Sequence, residues 1–181
     1  MRIDAETSLR DIAFEVCTAL SHAGTTAVLT GGGAATLSAP EAIQSYDLDF
    51  ILTAYGGDGS AGEALAALGY SLRGQHYEHS TSQFLLEYPP GPLAIGDELI
   101  TKWTTLKEGD RLLHLLTATD SCRDRLAAFY HFHDRSALQQ ALAIQGAQPE
   151  RTDLELIERW SKREGQVERC AEFLQSARSG A

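Results

Sequence analysis

Asp47 and Asp49 stand two residues apart in SYDLDFILT, at the head of a run that turns apolar. Read as a strand over residues 45–53, the segment projects both carboxylates from one face, because side chains alternate along an extended chain. They then lie about 7 Å apart along the backbone. Leu48 and Phe50 point the other way, into a core. Paired carboxylates suit a hard divalent cation, which fills its remaining positions with water and phosphate oxygens. Upstream, Gly31, Gly32 and Gly33 separate the β-prone TAVLT from a short helix predicted over AATLS. Lacking side chains, they let backbone N–H groups approach a polyphosphate, and a helix N-terminus favours negative charge.

Other chemistries find less support. No G-K-[ST] follows the glycines, so there is no Walker A loop. No G-x-S-x-G elbow is present, which argues against a serine hydrolase. The three cysteines, Cys17, Cys122 and Cys170, are far apart and form no C-x-x-C pair, so they read as inert or buried thiols. His76 and His79, three apart in a strand, face opposite sides. His131 and His133 fall where a helix ends, with no third partner. All four read as surface or satisfied core histidines. Trp103, Tyr88 and Tyr130 read as core or pocket lining, or as a ring on which a base stacks.

The elements that must position these residues follow from periodicity and punctuation. Residues 7–23 carry Leu9, Ile12, Ala13, Val16 and Leu20 at helical spacing, with Thr7 or Ser8 as cap and Gly24 as stop. GGDGS (residues 56–60) predicts a turn, and SAGEALAALG a helix closed by Gly69. Strands are expected near 70–78 and 82–88, then a stiff proline-rich connection over 89–97. Residues 98–106 and 111–116 predict a hairpin around KEGD. Beyond Thr119 the pattern is helical: SCRDRLAAFYHF, then DRSALQQALAIQ, then one or two charged helices over 152–178. Strands mixed with helices first and helices last predict an α/β (α+β) core over 1–118, with a C-terminal helical part over 119–181.

The 181-residue length suits one such compact unit. No long apolar stretch predicts a membrane span, and the charged N-terminus lacks a signal-peptide pattern, so a cytoplasmic location is the default expectation. A net charge of −10 argues against broad coating of nucleic acid. A local basic patch around Arg123, Arg125 and Arg135 remains suited to one RNA end.

Strand, glycines, short helix and S-x-D-L-D-F together resemble the opening motif of the DNA polymerase β-like nucleotidyltransferase superfamily. V-L-T-G-G-G-A before Ser45 and Asp47-Leu48-Asp49-Phe50 is most similar to the AbiEii-type toxin branch. Both Gly31-Gly32 and Gly32-Gly33 fit the glycine pair. The resemblance covers roughly residues 25–145. It implies a mixed sheet flanked by helices and a third carboxylate on a later strand. Glu87 in QFLLEYPP is the match, where most relatives carry Asp. It also implies a basic residue, here Arg123 or Arg125 where relatives have Lys, and a further acid matched by Asp134. The Lys-to-Arg exchange keeps a phosphate-binding charge but removes a proton acceptor.

By this resemblance, Asp47, Asp49 and Glu87 bind Mg²⁺ or Mn²⁺, and Gly31, Gly32, Gly33, Ser45 and Arg123 contact the NTP. Arg125 and Asp134 complete the catalytic set. The implied reaction moves an NMP from an NTP to a tRNA 3′ end, a protein hydroxyl or a small molecule. A toxin of this kind has a neutralising antitoxin as partner. Two alternatives stay open: a binding module or scaffold that has lost catalysis, and a transferase for small cationic acceptors. Several of these residues also have plain structural readings. Asp134 suits a helix cap, Ser45 the shaping of a strand start, and Arg123 and Arg125 a solvated helix face paired with Asp120 and Asp124.

Overall fold

The computed structural model describes residues 2–54 and 60–179. All of the turn expected over residues 56–60 except Ser60 lies outside them. Helix α1 (Leu9–His22) opens on Ser8, whose Oγ accepts the Asp11 N–H at 3.1 Å. Its buried stripe includes Ile12, Val16 and Leu20. Strand β1 (Thr26–Thr30) leads directly into α2 (Gly31–Ser38). The glycines therefore form the first turn of that helix rather than a loop before it. Strand β2 is Asp47–Ala54, and α3 is Ser60–Ala67.

The stretch expected as one strand near 70–78 is a hairpin. Strands β3 (Tyr70–Arg73) and β4 (His76–His79) turn at Gly74, whose φ of 65° is easy only for glycine. Strand β5 is short, Leu85–Glu87. The proline-rich connection carries β6 (Ala94–Ile95), which pairs with β7 (Glu98–Leu99) as a separate two-stranded ribbon. Residues 98–106 are thus not one strand. Only β8 (Thr104–Glu108) forms the expected hairpin with β9 (Arg111–Leu115). Helices α4 (Ala118–Phe132), α5 (Arg135–Ala147), α6 (Leu154–Arg163) and α7 (Val167–Ser179) complete the described chain.

The fold is α+β, with a seven-stranded mixed sheet in the order β3-β4-β5-β2-β1-β9-β8. At its centre β1 and β2 run antiparallel, while β2–β5 and β1–β9 are parallel. Alternation along the central strands feeds two apolar clusters. Ala27, Leu29, Leu48, Phe50, Leu86 and Leu113 pack with Ile12, Phe14, Leu20 and Leu65 on one face. Val28 and Ile51 join Ala35, Leu126, Phe129, Leu138, Trp160 and Phe173 on the other, so the C-terminal helices share a core with the sheet. On this second face the first half of β2 carries Asp47 and Asp49 instead of apolar residues.

Candidate metal and nucleotide site

The register sets the site. In the parallel pair β2–β5, Asp47 lies opposite Leu85, Leu48 opposite Leu86, and Asp49 opposite Glu87. Leu48 and Leu86 are fully buried. Asp47, Asp49 and Glu87 therefore share the opposite face. The row through Asp49 continues to Thr30 on β1 and, through Glu87, to His76 on β4. His76 is the residue of this row that periodicity missed, because its strand partner is set by the fold; its Nε2 lies 2.8 Å from Glu78 Oε1.

The glycines close against this strand. Gly31 has φ of 60°, and a Cβ there would overlap Asp49 Oδ2. A Cβ on Gly32 would stand 2.9 Å from Ser45 Oγ, and one on Gly33 would stand 3.2 Å from the Asp47 carbonyl oxygen. All three glycines thus let α2 lie directly on the start of β2. Ser45 Oγ is committed to the backbone of Asp47: it donates to the carbonyl at 3.1 Å and accepts the N–H at 3.2 Å. Thr30 Oγ1 donates to the Asp49 carbonyl at 3.2 Å, so it does not cap α2.

A cavity of about 310 Å³ opens here, lined on its polar side by Thr30, Gly31, Asp49, Asp124 and Arg125. The rest of its wall is largely apolar, including Pro89, Pro92, Leu93 and Ile95. Asp47, exposed, and Glu87, part-buried, stand outside that lining. A larger cleft of about 560 Å³ lies beyond the start of β2, lined by Thr36, Gln44, Ser45 and Phe84 among others.

Burial pushes the Asp49 carboxyl up to about 6, and the neighbouring charges of Glu87, Asp124 and Asp47 add to the rise while Arg125 opposes it. Keeping the Asp49 carboxylate charged in this place, chiefly against its burial, costs roughly 1–2 kcal/mol at neutral pH, allowing for solvent screening. Burying Leu48 and Phe50 returns about 1.5–3 kcal/mol apiece, so the apolar face of β2 decides where the acids stand.

The two candidate arginines separate. Residues two apart on a helix point about 160° away from each other. Arg125 lines the cavity. Arg123, expected at the nucleotide, is instead a structural brace. Its side chain is 4% exposed, Nη1 bonds Asp120 at 2.9 Å, and Nη2 pairs with Glu98 on β7. Its guanidinium carbon lies 5.0 Å from the Trp160 ring centroid, and Nε is buried with no hydrogen-bond partner among the described residues. Asp134 caps α5: Oδ1 accepts from Ser136 N at 2.8 Å and Ala137 N at 3.3 Å. The Ser136 hydroxyl bond is the main reason its carboxyl is held below the usual value.

Among the described residues, no group of three or more His, Cys, Asp or Glu stands in metal-ligand geometry. The donor set nevertheless fits a hard cation. It is all oxygen, it carries more negative charge than Arg125 offsets, and Mg²⁺ commonly takes only one or two carboxylates beside phosphate and water. No protein-family model matches the chain, and no curated protein is significantly similar to it.

Proposed function

We propose that the chain is a divalent-metal-dependent nucleotidyltransferase that moves an NMP from an NTP to a hydroxyl-bearing acceptor. The observation that carries this reading is the placement of Asp49 opposite Glu87, against a glycine turn that admits no side chain. Asp47 and Asp49 would hold Mg²⁺ or Mn²⁺, leaving Glu87 for the acceptor. A bound cation would supply charge neutralisation and Lewis-acid polarisation of the phosphoryl group.

The protein's own groups bind and orient. Arg125 faces the triphosphate in the cavity and offsets its charge. Glu87 orients the acceptor hydroxyl and takes its proton as the new O–P bond forms and pyrophosphate leaves. The cleft beyond Ser45 gives an acceptor room beside Asp47. Resemblance to the AbiEii branch extends the proposal to a toxin that modifies a tRNA 3′ end or a protein hydroxyl and is neutralised by a partner protein.

Labelled NTPs, Mg²⁺ and total RNA or protein supply the test. The intact chain should transfer label, and Asp47→Ala should not. Absence of transfer to any acceptor by the intact chain contradicts the proposal.

A second reading, a nucleotide-binding module without turnover, draws on the structural use of Arg123, which leaves Arg125 as the sole candidate for the basic position. Calorimetric titration with ATP separates the two. ATP binding that ignores Mg²⁺, with no turnover, favours the module.

A further inference from the structure

Arg125 is held into the cavity by its own neighbour. Asp124 Oδ2 accepts from Arg125 Nε at 2.9 Å and from Nη2 at 2.6 Å. Gln140, on α5, accepts from Nη1 at 3.4 Å. The arginine side chain is only 18% exposed and that of Asp124 only 25%, and both line the cavity with Asp49. These contacts use three of the five guanidinium N–H groups. Each terminal nitrogen keeps a further N–H with no partner among the described residues, and these groups can donate to phosphate oxygens. An unrestrained arginine would have another place to go. The Asp49 carboxylate, with Glu87 behind it, attracts the same guanidinium, and settling there would occupy the acids that the cation needs.

We infer that Asp124 is a positioning residue: it clips Arg125 away from the Asp49–Glu87 acids and presents the remaining guanidinium N–H groups to the triphosphate of the incoming nucleotide. The inference rests on the nucleotide reading above. The assignment gives consecutive residues of α4 separate tasks. Arg123 braces the β6–β7 ribbon through Glu98, Asp124 aims, and Arg125 binds. Asp124 acts through Arg125 and not as a cation ligand, so every effect of its removal should depend on Arg125.

Calorimetric titration of the full chain with inorganic tripolyphosphate, and separately with Mn²⁺ alone, tests this. Asp124→Asn and Arg125→Lys should each weaken tripolyphosphate about ten-fold, the scale of one charge-assisted hydrogen-bond pair. The double variant should bind no worse than Arg125→Lys, because both changes remove the same contact. Mn²⁺ affinity should fall in Asp124→Asn, where the released guanidinium settles on the acids, and should return in an Asp124→Asn/Arg125→Gln variant; melting temperatures close to that of the intact chain show that the variants are folded. Wild-type tripolyphosphate affinity in Asp124→Asn, additive losses in the Asp124→Asn/Arg125→Lys variant, or Mn²⁺ binding that stays lost in Asp124→Asn/Arg125→Gln each overturns the positioning role while leaving the nucleotide reading standing. An intact chain that binds neither probe overturns the nucleotide reading itself.

Discussion

The backbone of Gly31 lies so close to the carboxylate of Asp49 that no side chain fits between them. The relationship joins the two parts of the candidate site, since the first turn of α2 and the acid on β2 are in direct contact. Gly31→Ala should destabilise the fold by about 2 kcal/mol or more, combining left-handed backbone strain with the overlap. In an Asp49→Ala background the overlap vanishes and only the strain, about 1 kcal/mol, should remain. Urea melts of the four proteins measure this coupling. Equal costs in both backgrounds would show that the contact is not what requires glycine.

The Asp49 carboxyl carries a pH signature. Its value rises from an ordinary 3.8 to about 6 in the folded chain, chiefly through burial. A group raised on folding favours the native state while protonated. Its stabilising effect is complete below about 3.8 and lost as the pH climbs through about 6. Asp49→Asn should therefore be more stable than the intact chain at pH 8, by on the order of 1–2 kcal/mol, with the gap narrowing towards pH 5. Mn²⁺ should raise the melting temperature of the intact chain at pH 8 and do so weakly at pH 5. Urea and thermal melts across this range decide it, and an Asp49→Asn variant less stable at pH 8 than at pH 5, relative to the intact chain, would refute the buried-acid account.

Arg123→Leu should cost about 1–3 kcal/mol, because among the described residues it leaves Asp120 with the Thr117 hydroxyl alone and Glu98 with Arg163 alone. Arg123→Lys keeps the charge but loses the forked contacts, and should cost less. Tripolyphosphate affinity of the folded Lys variant should match the intact chain. A selective loss of that affinity, with stability preserved, would return Arg123 to the nucleotide.

Asp134→Ala should cost about 1 kcal/mol through loss of the α5 cap, and Asp134→Asn only a fraction of that. Label transfer by the Asn variant should stay near the intact level. A transfer rate that collapses in Asp134→Asn while the melting temperature holds would assign this acid a chemical role.

Local pattern was enough for much of this architecture. Strand β1 coincides with TAVLT, and the Ser8 cap and the α1 stripe follow directly from spacing. The pairing of acids on β2 needed only the two-residue period. What the sequence hides is non-local. The ribbon of β6 and β7 is a few residues long and stabilised by Glu98 reaching Arg123 and Arg163, a contact that no window of sequence contains. The turn at Gly74 splits a strand because glycine there takes a left-handed φ, and YSLRGQHYEH shows no break in polarity at that point. Helical geometry would have separated Arg123 from Arg125, since residues two apart cannot face one cavity. Asp124 was visible only as the partner of Arg125, and the cavity gives it a place beside Asp49.

Anomalous scattering from crystals soaked with Mn²⁺ and a non-hydrolysable NTP measures the site most directly. A manganese peak bound by Asp47 and Asp49, with the triphosphate lying between α2 and Arg125, is the expected result. Manganese bound elsewhere on the surface, or a nucleotide seated away from β2, would contradict it.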